Sequence, residues 1–240
     1  MTLFGRLDEP ELVRREYATD AGLAGRLAAY RFAEGPDPRE MVLEAVAEAR
    51  PTRVLEVGCG QGAMAERIAR DLDCDVVALD QSEHMASLTV ARGVHAIVGD
   101  AQELPFADGE FDVALAAWML YHVSDVDRAL AELARVLRRG GRLVAATNSE
   151  EHLRELGELL GGTGLDSSFS AENGEPQLLR HFSAVERRDG SGWIVFPSRA
   201  EAQAYVDAAG VLSGGGRELP AFDGPLRVRR ASVVFVAELA

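Results

Sequence analysis

Between Arg53 and Thr147 short apolar runs rich in β-branched residues alternate with amphipathic stretches. Val54 to Val57, Val76 to Leu79, Val94 to Val98, Val113 to Ala117 and Leu143 to Thr147 read as buried strands. Ala63 to Leu72, Glu83 to Ala91 and Val126 to Leu137 repeat their apolar residues at helical spacing. Such alternation means βαβ crossovers, a mostly parallel sheet and helices on both faces: an α/β fold.

Outside this stretch the pattern changes. Leu12, Val13, Tyr17, Leu23, Leu27 and Tyr30 recur at helical spacing, broken near Gly22 and Gly25, which predicts two short helices. Pro38 opens a further helix whose stripe is Met41, Val42, Ala45 and Val46, ending before Pro51. Residues 1–50 are therefore expected as an N-terminal helical lid on a core over 51–240. Beyond Ser149 a helix (Glu151 to Leu160), a Gly- and Ser-rich loop through Gly174, strands at Ser183 to Arg187 and Trp193 to Phe196, and a helix (Arg199 to Ala208) follow. A small insertion is expected at about 196–226, with Gly214 to Gly216 as a flexible loop. The closing run Ala231 to Leu239 predicts an antiparallel strand at the edge of a seven-stranded sheet.

Charge narrows the partners. With 25 basic and 39 acidic residues the net charge is -14, which repels a polyanion, so nucleic acid is not expected as substrate. All the basic residues are arginine; without lysine, Schiff-base chemistry, a pyridoxal phosphate linkage and a Walker loop are excluded. The longest uncharged apolar run, Val113 to Val123, falls short of the roughly 20 residues that span a bilayer. Residues 1–11 lack the apolar core of a signal peptide. Only Cys59 and Cys74 are present, giving neither a disulfide framework nor a four-cysteine metal site, so a reducing cytoplasm is expected, with no membrane partner and no metal.

The strongest chemical signal is Val54-Leu55-Glu56-Val57-Gly58-Cys59-Gly60-Gln61-Gly62, a strand running into a glycine turn and then a helix. Glycines permit positive φ and close approach of backbone to a ligand, and the helix start offers free N–H groups. Asp80, at the end of the second strand, stands where such folds place an acid for ribose hydroxyls. The glycines also match the dinucleotide pattern, so at this point a nicotinamide oxidoreductase stays open beside other nucleotide-like cofactors. The segment Val98 to Phe106, containing Gly99-Asp100-Ala101-Gln102, and the run Trp118-Met119-Leu120-Tyr121-His122 after the fourth strand separate the two.

In order and spacing these segments resemble the class I S-adenosylmethionine-dependent methyltransferases, which are Rossmann-like, and within them the group that contains the ubiquinone and menaquinone methylases. The resemblance covers Arg53 to Thr147 and includes Asp125 to Gly141, where Arg139 stands in place of a frequent proline. It implies that the glycine turn holds the methionine part of the cofactor, Asp80 the ribose, and Asp100 and Ala101 the adenine edge. Glu56, Gly58, Cys59, Gly60, Gly62, Gln81, Met85, Gln102 and Ala117 complete the expected cofactor set. Acids at the strand ends suit a sulfonium carrying an amino acid better than a pyrophosphate.

For a small-molecule acceptor the candidates are Tyr17, Trp118, Tyr121 and Asn148, with Arg26, Tyr30, His152, Glu172 and Asn173 as further polar groups. His122 is the candidate catalytic residue, either a proton acceptor or a lining residue. In-line methyl displacement needs alignment above all, so a base is not obligatory. A methylase of nucleic acid or protein is the remaining alternative, and the acceptor and the oligomeric state are open.

Overall fold

The computed structural model describes residues 7–162, 167–210 and 216–240. Residues 1–6, and with them part of the expected lid, lie outside the described residues, as do 163–166 in the Gly- and Ser-rich loop and two of the three glycines at 214–216.

The chain runs through α1 (Pro10–Glu16), α2 (Ala21–Ala28), a 3-10 turn (Ala29–Phe32), β1 (Ala33–Glu34) and α3 (Pro38–Glu48) into the alternating region. That region comprises β2 (Arg53–Val57), α4 (Ala63–Leu72), β3 (Asp75–Asp80), α5 (Glu83–Ala91), β4 (His95–Val98), β5 (Phe111–Ala117), a second 3-10 turn (Leu120–His122), α6 (Val126–Val136) and β6 (Leu137–Asn148). Then follow α7 (Arg154–Leu159), α8 (Gly174–Leu178), β7 (Ala184–Asp189), β8 (Gly192–Phe196), α9 (Arg199–Ala208), β9 (Leu226–Arg230) and β10 (Ser232–Glu238).

The main sheet has seven strands in the order β4-β3-β2-β5-β6-β10-β7, and β10 alone is antiparallel to its neighbours. Each inner strand divides its side chains between two cores. Leu55, Val77, Ala114, Ala145 and Phe235 face a core shared with Leu130 and Leu133 of α6, whereas Val54, Val76, Val113, Val144 and Val234 face one shared with Val42 and Val46 of α3 and Ile68 of α4. Burial on both faces is why these strands read as near-continuous apolar runs.

The closing strand corrects the expected edge position. Val233 to Ala237 are buried on both faces, so β10 inserts between β6 and β7, and the charged β7 (Ala184–Asp189) takes the edge. Trp193 to Phe196 also leaves the main sheet: β8 pairs with β1 and β9 in a separate three-stranded sheet. The stretch 196–226 thus lies inside a larger excursion between β7 and β10. This excursion shares a third core with α7 and the N-terminal segment, built from Leu7, Ala29, Leu156, Ile194, Phe196, Tyr205 and Val228. By contrast α3, expected with the lid, packs its Val42, Ala45 and Val46 on the main sheet.

Candidate active site

The second strand of the motif, β3, ends at Asp80, and its neighbour β2 turns sharply at the glycines because the Gly58 and Cys59 N–H groups both donate to the Leu79 carbonyl, at 2.7 and 3.1 Å. Gly58 has φ +71°, and a Cβ there would lie 2.6 Å from the Cβ of Met119. Only glycine lets the turn and the β5 loop meet this closely. Between the turn, the ends of β3 and β4, the residues after β5 and the N-terminal segment lies a cavity of about 890 Å³. This is the size and sheet-edge position of ligand clefts in doubly wound folds.

Among the expected cofactor residues, Glu56, Gly58, Cys59, Gly60, Asp80, Gln81, Asp100, Ala101, Gln102 and Ala117 line this cavity. Two do not. Gly62, with φ +74°, holds its Cα where a Cβ would strike the Thr89 hydroxyl at 2.6 Å, so it serves the packing of α4 on α5. Met85 is fully buried in the first turn of α5, whose cap is the Ser82 hydroxyl accepting the Met85 N–H at 3.3 Å.

The acids sit in contrasting environments. Asp80 accepts the Gly60 N–H (2.9 Å) on one oxygen and the Ser82 N–H (2.9 Å) on the other, and the Gln81 N–H also bonds to it. Burial raises its pKa, and these backbone bonds oppose the rise. Glu56 is buried more deeply: its pKa is pushed up to about 8, chiefly by burial and further by Asp80, against the Ala65 N–H at the start of α4. Its Oε2 meets no donor among the described residues. Asp100 instead closes its own turn, accepting the Gln102 N–H at 2.8 Å.

Across the cavity stand all four expected acceptor residues, Tyr17, Trp118, Tyr121 and Asn148, with His122. Trp118 has φ +54°, and its indole Nε1–H has no acceptor among the described residues. Asn148 accepts the Ser232 hydroxyl at 2.9 Å. His122 is held at both nitrogens: Nδ1 lies 2.8 Å from the Leu7 carbonyl and Nε2 2.8 Å from the Tyr17 hydroxyl. A carbonyl only accepts, so the proton is on Nδ1 and the Tyr17 O–H donates to Nε2. Burial lowers the His122 pKa to about 4, so the ring is neutral. With both nitrogens engaged, the geometry favours the lining role over the base.

Of the further polar candidates, Arg26 and Tyr30 from the N-terminal segment and His152 ahead of α7 also line the cavity, and the structure adds Tyr205 from α9. Arg26 is ion-paired with buried Glu16. Tyr205 comes from the excursion before β10, and its one sequence signal is an apolar face on a short helix. Glu172 and Asn173 are outside the lining; Glu172 accepts the Ser149 hydroxyl at 2.6 Å. Among the described residues no three His, Cys, Asp or Glu side chains converge as a metal-ligand set, and no helix is long and apolar enough to cross a membrane.

The comparisons with known proteins agree with this geometry. Residues 55–145 match a methyltransferase domain family. The chain is 34% identical over 169 residues to a demethylmenaquinone methyltransferase of Thermobifida fusca, covering 65% of this chain and 67% of that protein. It is 42% identical over 110 residues to the demethylmenaquinone methyltransferase of Renibacterium salmoninarum, there covering 45% of this chain and 46% of the relative, so it spans about half of that protein's length. Among solved structures, the cyclase SpnF superposes with a TM-score of 0.66 at 19% identity, covering 100% of this chain and 99% of that one. A Haemonchus contortus phosphoethanolamine N-methyltransferase, solved with S-adenosylhomocysteine, gives 0.63 at 17% identity, covering 96% and 59%. At those identities the likeness shows the fold alone. The sequence relatives, the matched domain and the glycine turn at the sheet edge together place the chain among the class I S-adenosylmethionine-dependent methyltransferases, in the group of the ubiquinone and menaquinone methylases.

Proposed function

We propose that this protein transfers the methyl group of S-adenosylmethionine to a small-molecule acceptor bound under its N-terminal segment. The observation that carries this reading is the unsatisfied Glu56 Oε2, buried at the cavity wall beside the glycine turn. An unpaired buried carboxyl is costly, and a ligand ammonium would satisfy it. The amino-acid part of the cofactor carries that group. Asp80, a carboxylate at the end of β3 on the cavity wall, suits the ribose hydroxyls, and the Asp100 to Gln102 turn suits the adenine edge. A dinucleotide would bring a pyrophosphate against Glu56 and Asp80 instead, which argues against the nicotinamide reading. The cofactor supplies an electrophilic methyl; the chain's part is to align the acceptor and exclude water.

The N-terminal segment acts as the cover. Leu7 and Tyr17 both fasten to His122, and the Ser82 hydroxyl donates to the Tyr17 carbonyl at 2.7 Å, so one segment touches both sides of the cavity. The test is a thermal-shift titration with S-adenosylmethionine, S-adenosylhomocysteine, NAD and NADP. The first pair is expected to stabilise the protein, by about 2.7 kcal/mol at one hundred times Kd. Stabilisation by NAD or NADP alone would refute the assignment.

A further inference from the structure

The half of the cavity away from the glycine turn holds every tyrosine of the chain: Tyr17, Tyr30, Tyr121 and Tyr205. Its two histidines are tied to the main chain. His122 is engaged at both nitrogens, as described. His152 accepts the Ala231 N–H at Nδ1 (3.2 Å), which leaves its proton on Nε2 as a donor. Neither ring has a lone pair free to take a proton from an acceptor. The carboxylates near this half are committed: Glu16 to Arg26, Asp37 to Arg39, and Glu40 to Arg67. The chain has no lysine. With the Tyr17 O–H given to His122, what remains is a set of donors, the hydroxyls of Tyr30, Tyr121 and Tyr205 and the His152 Nε2–H.

One buried positive charge behind this half has no carboxylate in direct contact, although its field also helps to lower the pKa of Asp37. Arg230, at the end of β9, is 1% exposed and donates to the Pro36 carbonyl. Its Nε and Nη1 meet no acceptor, and no carboxylate pairs with it, among the described residues. Its field reaches the cavity wall: burial lowers the His152 pKa to about 3, with Arg230 adding to that, and Arg230 opposes the rise that burial imposes on Tyr30.

We propose that the acceptor is an oxygen acid that enters already ionised, an acidic phenol or an aromatic carboxylate, held by the hydroxyls of Tyr30, Tyr121 and Tyr205 and the His152 Nε2–H with Arg230 balancing its charge. The proposal rests on the methyltransferase reading. The ionised oxygen uses a lone pair to form the O–C bond while the C–S bond breaks and its electron pair goes to sulfur. Oxyanion and sulfonium become a neutral ether or ester and a neutral thioether, and no proton has to be placed. A site built of donors without a base suits this step and does not suit an acceptor that must be deprotonated.

The test uses 4-nitrophenol, whose phenolate is coloured, titrated with pH against the whole protein saturated with S-adenosylhomocysteine. The apparent pKa of the bound phenol is expected to fall by about one unit or more, a tenfold preference for the ionised form. Arg230→Met is expected to fold, since an apolar side chain replaces an unpaired buried charge, and to return that pKa to the free value. Displacement by benzoate but not by benzamide extends the site to carboxylates, whereas displacement by phenol-like neutral isosteres alone overturns the proposal. A bound pKa at or above the free value, or no binding to the loaded protein, overturns it too, whether or not the Arg230 variant folds. In turnover assays across phenols of graded acidity, the pH midpoint should follow each phenol's own pKa; one midpoint common to all would reveal an enzyme base and overturn it. If S-adenosylhomocysteine itself fails to bind in calorimetry, the methyltransferase reading falls instead.

Discussion

The two walls of the cavity are built in different ways. The glycine-turn wall comes from residues 56–102, a contiguous stretch of strand ends, the turns that follow them and the first turns of α4, and it carries two buried acids, Glu56 and Asp80. The opposite wall is assembled from four separate places, the N-terminal segment, the turn after β5, the approach to α7, and α9, and it offers hydroxyls, neutral imidazoles and paired or buried arginine. A local motif can build the first wall because βαβ geometry brings successive strand ends together. The second wall exists only once three cores have packed, so it is free to vary with the acceptor while the first stays fixed by the cofactor.

The largest expected effect concerns Glu56. Its folded pKa of about 8 lies above that of an unfolded glutamate, so its contribution to stability is fully present below about pH 4.5 and is lost as pH rises through 8. Glu56→Gln should remove that loss and stabilise the ligand-free protein at pH 8.5 by on the order of 2 to 5 kcal/mol in denaturant unfolding, while weakening S-adenosylhomocysteine. A variant no more stable than the parent at high pH would show that Glu56 is not strained by burial.

Next is Asp80→Ala, which removes the acceptor of three backbone N–H groups, those of Gly60, Gln81 and Ser82, and of the proposed ribose hydroxyls. Calorimetry should record a loss of about 1.5 to 3 kcal/mol in cofactor binding. Unchanged affinity would detach Asp80 from the ribose. On the other wall, Tyr17→Phe deletes the hydrogen bond to His122 and should cost about 1 kcal/mol of stability while raising the acceptor KM more than it lowers kcat. Cofactor affinity altered as strongly as that of Asp80→Ala would erase the distinction between the walls.

The same difference explains what was legible in the sequence. The helices Ala63–Leu72, Glu83–Ala91 and Arg199–Ala208 match their periodicity residue for residue, since glycine or a capping serine marks each start. The glycine turn and Asp80 were legible because their chemistry is local. The position of β10 was not: a run buried on both faces fits an interior strand, but strand order depends on partners far along the chain. β9, Leu-Arg-Val-Arg-Arg, was missed because its charges mimic a loop, although Arg230 is among the most deeply buried side chains. Tyr205 faces the cavity through tertiary packing alone, and no spacing announces it.

A smaller effect is expected with pH on the acceptor wall. His122 and His152 titrate far below an ordinary histidine, near 4 and 3, through burial. Their depressed values contribute stability above about pH 6.5 that is lost as pH falls toward 4. Protonation of His122 would also break its bond from Tyr17, so proteolysis within residues 7–17 should accelerate at pH 4.5 relative to pH 7. Equal rates at both would separate the N-terminal segment from His122. Smallest is Glu40→Gln, which breaks the exposed pair with Arg67 at the cavity mouth and should change stability by no more than about 1 kcal/mol.

The placement of the cofactor is tested most directly by calorimetric titration of S-adenosylhomocysteine into the protein at pH 7, repeated in buffers of different ionisation enthalpy. Glu56 is protonated in the free protein at that pH, and a ligand ammonium beside it would favour its ionised form. Saturable binding with release of about one proton is expected, with loss of that release in Glu56→Gln. Binding without proton release, or with release unchanged in Glu56→Gln, would contradict the placement of the cofactor's amino-acid end at Glu56.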